Sequence, residues 1–258
     1  MTTPLETLLE QLPLGDGVAL LARDANGLFA LSKPAGVLSH PNVRADIPRS
    51  LLAAPYSAEG EFYEIASPTT PGATRRVWLL NRLDSATSGV ILLAADAALA
   101  ALVRKAFLQK NVRKLYNALV FGTPPATAAV WRDRLAVRKS AGQIRASGGG
   151  NIPAETRAKV LRRWNDKLPP LTLLELEPRT GRSHQLRVQC ALRKLPIVGD
   201  ATYGAFAANR DFARRHGSAR LFLHSRETAF AYTWKNRLFR FRAEAPLPPE
   251  FLAPTPRA

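Results

Sequence analysis

Apolar residues fall along this chain in short runs separated by turn residues, and the runs set the expected elements. Residues 18–23 (VALLAR) and 28–33 (LFALSK) flank Asp24-Ala25-Asn26-Gly27, which predicts a β-hairpin closed by a four-residue turn. Pro34 ends the second strand. Residues 41–76 are rich in Pro, Ser, Thr and Ala and have little periodicity, so they read as a long surface loop with one short helix near 48–53. A strand is expected at 89–95. Asp96 then stands as an N-cap before Leu99, Leu102, Val103, Ala106 and Phe107, spaced as one face of an amphipathic helix. Arg104, Lys105 and Lys110 occupy its other face. A strand over 113–121 closes at Gly122, and 138–151 reads as a basic loop or hairpin tip. Strands at 155–163 and 171–177 lead into TGRSHQLRVQCAL, a turn entering a helix capped by Ser183. A second hairpin, 221–233 with 237–243, turns at Trp234-Lys235-Asn236. Strands outnumber helices and several are joined by short turns. The pattern predicts an α+β fold on a mixed, largely antiparallel sheet.

Composition narrows the function. In 258 residues, 46% apolar content supports a substantial core, and 37 Lys and Arg against 20 Asp and Glu give a net charge of +17. The basic residues are interleaved with apolar ones rather than gathered in a tail, so they decorate a folded surface suited to a polyanion. Cys190 stands alone, excluding a disulfide framework, and His40, His184, His216 and His224 lack metal-ligand spacing. No metal and no nucleotide cofactor are expected, since the Gly-rich segments match neither a P-loop nor a dinucleotide fingerprint. The N-terminal segment has no positively charged region before an apolar run, and no stretch is long and apolar enough for a membrane span. A cytoplasmic protein is expected.

Three polar clusters sit at the ends of apolar strands. In LLNRLDSATSG, Asp84 lies between Arg82 and a Ser/Thr-rich turn, directly before GVILLAA. An acid on a loop beside a buried strand is held rigidly and still reaches solvent, as a nucleophile or base requires, although a turn Asp is the commoner occurrence. In KLYNALV, alternation puts the Tyr116 ring on one face of its strand, where an ordinary strand aromatic is equally at home. In RTGRSHQLRVQ, Arg179, Arg182 and Arg187 bracket a helix start, a suitable phosphate or carboxylate site or a solvated basic helix end. His184 invites acid–base work but more often serves as a structural hydrogen-bonder. A Ser-His-Asp hydrolase reading lacks the nucleophile elbow.

The segments LNRLDSATSGVILLA, KPAGVLSHP, KLYNALV, AETRAKVL, RTGRSHQLRVQCA, LPIVGDATYG and LFLHS occur in one order over about residues 17–243. Together they resemble the RluA-type RNA pseudouridine synthases. Asn81 departs by standing where many members have His, and Gln189-Cys190 where a His is common. The resemblance implies a pseudouridine synthase catalytic domain over 17–245 with an RNA-binding cleft. Residues 1–16 would be an N-terminal extension and 246–258 a C-terminal tail, with no separate N-terminal RNA-binding domain. It implies isomerisation of a uridine in structured rRNA or tRNA, without a cofactor, by a protein for which a monomer suffices. Asp84 would be the nucleophile, attacking base or sugar. Arg187 would pair with it and Tyr116 would stack on the uracil. Leu186 would pack on the other side of that base, and Arg82 would fill the space left by the flipped nucleotide. Arg182, His184, Thr87 and Lys33 would bind substrate. Arg75, Arg76, Lys114, Arg138, Lys139 and Arg145 are candidates for phosphate contacts. The competing expectation is a non-catalytic RNA-binding or ribosome-assembly protein on the same fold.

Overall fold

The computed structural model describes residues 4–67, 72–140 and 143–252. In chain order the elements are α1 (Pro4–Glu10), β1 (Ala19–Arg23), β2 (Leu28–Lys33), a 3-10 turn (Arg44–Arg49), β3 (Tyr56–Ser57), β4 (Phe62–Ala66), β5 (Thr74–Leu79) and β6 (Ser88–Ala94). They continue with α2 (Ala97–Leu108), β7 (Arg113–Phe121), β8 (Ala128–Ser140), β9 (Gln143–Gly148), β10 (Ile152–Trp164) and β11 (Leu171–Pro178). The last are α3 (Gln185–Leu192), α4 (Phe206–His216), β12 (Leu223–Trp234), β13 (Arg237–Glu244) and a short 3-10 turn (Pro249–Phe251). The fold is α+β. The chain divides into two compact units, Met1–Val112 with Glu227–Ala245, and Arg113–Arg226 with Pro246–Ala258. One boundary falls inside strand β12, where no composition shift marks it.

In the first unit β1 pairs with β2, β2 with β6, β6 with β5, β5 with β4 and β4 with β3, all antiparallel, and β12 pairs with β13. All seven residues of β6 are buried. Its Val90 and Leu92 join Leu28, Leu99, Val103, Phe230 and Phe241 in one apolar core. Asp96 caps α2 as expected, its carboxylate accepting the Leu99 amide at 2.8 Å. The turn of the first hairpin is closed by Asp24, which accepts the Asn26 and Leu28 amides. The expected loop over 41–76 is wrong in its main part. It contains the 3-10 turn and strands β3 to β5, and it buries Leu51, Leu52, Tyr63 and Ile65. The strands are two to six residues long, too short for their alternation to stand out. Residues 68–71 of that segment lie outside the described residues.

In the second unit β7 pairs with β11, β11 with β10 and β10 with β8, again antiparallel, and β8 forms a hairpin with β9. The region expected as a basic loop or hairpin tip is therefore a hairpin. Gly150 lies against it so closely that a Cβ there would stand 2.2 Å from the Leu135 carbonyl oxygen. Helix α3 is held to β8 and β10 by two glutamines. Gln185 donates to the Glu155 carbonyl and to Thr156, while Gln189 accepts from Thr156 at 2.6 Å and donates to Asp133 at 2.7 Å. Gln189 is one of the two departures from the family pattern, and it is fully buried in this network.

Candidate active site

The first unit supplies a loop, residues 80–88, whose backbone is fixed at several points. Asn81, just after β5, accepts the Leu92 amide of β6 through its side-chain oxygen at 2.8 Å. The Ser39 hydroxyl accepts the Leu83 amide at 3.0 Å and donates to the Leu83 carbonyl at 2.8 Å. The Ser85 carbonyl accepts from the Lys33 ammonium at 2.9 Å and from the Gly36 amide at 2.8 Å. Gly36 reaches it with φ of +92°, a backbone state that side chains with a Cβ disfavour. Finally the Asp84 carbonyl accepts the Thr87 amide at 2.9 Å, closing the turn before β6. The Asp84 side chain is only half-buried, and Arg82 is exposed.

Lys33 is fully buried and its ammonium also donates to the carbonyls of Pro34 and Val37, at 2.9 and 2.6 Å. Thr87 is 2% exposed. Both were expected among the substrate-binding residues. In this structure the Lys33 ammonium and the Thr87 backbone amide support the Asp84 loop.

The second unit carries Tyr116, Leu186 and Arg187, and joins Arg187 to Asp200 and Tyr203, two residues that the sequence reading did not single out. Tyr116 is half-buried on β7, opposite Leu176 of β11. Lys114, two residues earlier and so on the same face, has its ammonium beside Gly181, and burial holds its pKa below the ordinary lysine value. Leu186 and Arg187 open α3 and are both buried. Arg187 donates from Nε and Nη2 to the two oxygens of Asp200, each at 2.8 Å, in a bidentate pair. Burial alone would raise the Asp200 carboxyl. The hydrogen bonds and charge of Arg187, with the Tyr203 and Thr202 amides, more than offset this and hold it below the ordinary carboxylate range. The Arg187 guanidinium also lies 5.1 Å from the centre of the Tyr203 ring. The Tyr203 hydroxyl in turn accepts the Ala146 amide at 2.8 Å and sits 2.8 Å from His184 Nδ1.

Ser183 does not cap α3. The N-cap is His184 in the left-handed region (φ 54°), without a side-chain capping bond. Gln185 instead ties down the approach to the helix, its side-chain oxygen accepting the Arg182 amide at 3.1 Å and the Thr180 hydroxyl at 2.7 Å. Arg182 is exposed, and Arg179 pairs with Glu177 at 3.3 Å. Of the candidate phosphate contacts, Arg76, Arg138 and Arg145 are exposed and Arg75 is half-buried, while the Lys139 side chain lies outside the described residues. Cys190 is buried, which pushes its thiol pKa up. No helix among the described residues is long and apolar enough to cross a membrane.

The family model for RNA pseudouridylate synthase matches residues 27–192. The chain is 31% identical over 226 residues to an uncharacterized RNA pseudouridine synthase of Mycobacterium bovis; the match covers 84% of this chain but 66% of that protein. The chain thus spans slightly less than two thirds of that relative's length. It is 32% identical over 224 residues to a tRNA pseudouridine synthase C of Vibrio vulnificus, covering 83% of this chain and 86% of that one. Among solved structures, human RNA pseudouridylate synthase domain containing 1 has a similar fold. Its TM-score is 0.66 at 21% identity, over 94% of this chain and 89% of that one.

Proposed function

The chain belongs to the RNA pseudouridylate synthase family, and on that premise we propose that it isomerises a uridine of structured RNA to pseudouridine. Asp84 is the nucleophile. The observation that carries this reading is the loop around it, whose backbone is fixed by Ser39, Lys33, Gly36 and Asn81 while the carboxylate keeps access to solvent. A carboxylate nucleophile needs positioning more than activation by a neighbouring base. Such a loop supplies positioning before substrate arrives.

In the reaction the bond from the ribose to N1 of uracil breaks, the base turns, and a bond forms from the same ribose carbon to C5. The C5 proton leaves and N1 regains one, so the product is an isomer and no electron donor or acceptor is consumed. Arg187 is the cation of the reaction, and Asp200 fixes its orientation. Tyr116 and Leu186 hold the uracil between them. Because the base must leave its stack, at a cost of a few kcal/mol, Arg82 fills the space behind it, its planar guanidinium suiting a place between bases. The exposed Arg138, Arg145 and Arg182 contact phosphates. Transfer RNA is the first substrate to examine, since the match to the Vibrio vulnificus protein spans most of both chains.

The test compares pseudouridine maps of tRNA and rRNA from a deletion strain complemented with wild type or with Asp84→Asn. The expected result is one or more sites lost on deletion and restored only by wild type. Sites restored equally by Asp84→Asn would remove Asp84 as nucleophile, and no site lost on deletion would leave a binding protein.

A further inference from the structure

In the first unit, two aromatic rings that the mechanism does not use stand beside the nucleophile loop. His40 and Tyr56 are stacked face to face, with centroids 4.6 Å apart and planes 11° from parallel, and both are half-buried. Beneath them, Tyr63 is fully buried and meets Tyr56 edge-on at 5.0 Å. The Tyr63 hydroxyl donates to the Ser39 carbonyl at 2.6 Å, and the Ser39 hydroxyl holds Leu83 through both its amide and its carbonyl. The stack is therefore built into the same hydrogen-bonded frame as Leu83, the residue between Arg82 and Asp84. The Arg82 guanidinium is near enough to act on the Tyr56 phenol, whose pKa burial and Glu61 raise and Arg82 and Arg104 draw back.

Packing alone explains Tyr63. It does not explain why a histidine and a tyrosine, both able to present a flat face to solvent, are held rigid one residue from the bond that fixes the nucleophile loop. A parallel pair of rings beside an exposed guanidinium has the chemistry of single-stranded RNA recognition, where bases stack on aromatic faces and Arg contacts bases or phosphate. Its attachment to Leu83 places it next to the flipped uridine, not on it.

We propose that the His40–Tyr56 stack is a platform for an unpaired base adjoining the target uridine, with Arg82 between the two nucleotides. This rests on the synthase reading above and adds to it a second base site. The platform selects RNA in which a neighbour of the target is unstacked, and it acts on binding more than on the chemical step.

The probe is a synthetic RNA stem-loop built around a uridine mapped in the deletion strain, with 2-aminopurine or an abasic residue placed in turn at each flanking position. Wild type quenches 2-aminopurine at one flanking position, and an abasic residue there raises KM about tenfold, the order expected from one base–aromatic stack. His40→Ala loses the quench, shows the same rise in KM with little change in kcat, and suffers no further loss on the abasic RNA. Tyr56→Phe, which keeps the ring, retains quench and KM. If wild type is active but neither abasic flank changes KM, the platform is refuted whether or not the variants fold. Equal KM for His40→Ala and wild type refutes it as well. A wild type that forms no pseudouridine overturns the synthase reading, and the platform falls with it.

Discussion

Replacing Asp200 by Asn removes one charge from the Arg187–Asp200 pair and turns Oδ2, the acceptor of Arg187 Nε, into a donor. The two side chains are 9% and 1% exposed, and both hydrogen bonds measure 2.8 Å. Asn keeps a carbonyl oxygen for the Thr202 and Tyr203 amides that Asp200 Oδ1 accepts at 2.8 and 2.9 Å. The guanidinium left behind is a buried charge that has lost its bidentate partner, a change that costs about 3–5 kcal/mol. For a chain of this size that is a fall in Tm of about 6–20 °C. Urea unfolding followed by tryptophan fluorescence measures it directly. The double variant Arg187→Met with Asp200→Leu restores most of the stability, because it removes both charges and fills the volume, yet forms no pseudouridine. The pH dependence gives a second reading. The folded Asp200 lies below its ordinary value of 3.8, so its stabilisation is fully present above that value and is lost as the pH falls through the lower folded one. The gap between wild type and Asp200→Asn therefore narrows only under strongly acidic conditions, below about pH 4. A loss smaller than about 1 kcal/mol, or a gap that does not shrink in acid, would refute the reasoning.

Lys33→Met keeps the aliphatic stem but strands three carbonyls. It is expected to cost at least about 2 kcal/mol by urea unfolding and to lower kcat far more than it raises KM. Unchanged kcat would show that the loop does not need this support. Lys114→Met tests the cation beside Gly181. If it meets a phosphate, the slope of log Kd against log salt shrinks by about 0.7–0.9, and an unchanged slope excludes the contact. Asp96→Ala removes the α2 cap and is expected to cost about 1 kcal/mol while leaving pseudouridine formation intact. A large loss of activity would place α2 in the site.

The hairpins were legible because alternating apolar residues flank residues suited to turns, and Lys235 and Asn236 do adopt positive φ at the second. Helix α2 was legible from its cap and spacing. Helix α4 was not, since Phe212 is its single buried residue and no periodic apolar face marks it. Asp84, Tyr116 and Arg187 were singled out as candidates through their neighbours in sequence. Asp200 was missed although its motif was noticed, because its partner lies thirteen residues earlier on another element. An Asp followed by small and polar residues after Gly199 does point to a turn held by side-chain-to-amide bonds, but it gives no hint of the arginine. The support that Lys33 and the Thr87 amide give the loop was not legible for a related reason. A cation and a hydroxyl near a reactive loop look alike in sequence whether they face the substrate or the loop, and burial alone separates them.

The anchors of the nucleophile loop also carry a timetable. The bonds described above that fix residues 81–87 join partners between Lys33 and Leu92. During synthesis, these partners have been made before Tyr116 and well before Arg187. At about 5–20 residues per second the ribosome needs roughly 5–20 s more to reach the arginine. Under the proposed mechanism, a growing chain carries these anchors of its nucleophile loop for that interval before Arg187 is made, and so passes through synthesis unarmed among the RNAs around it.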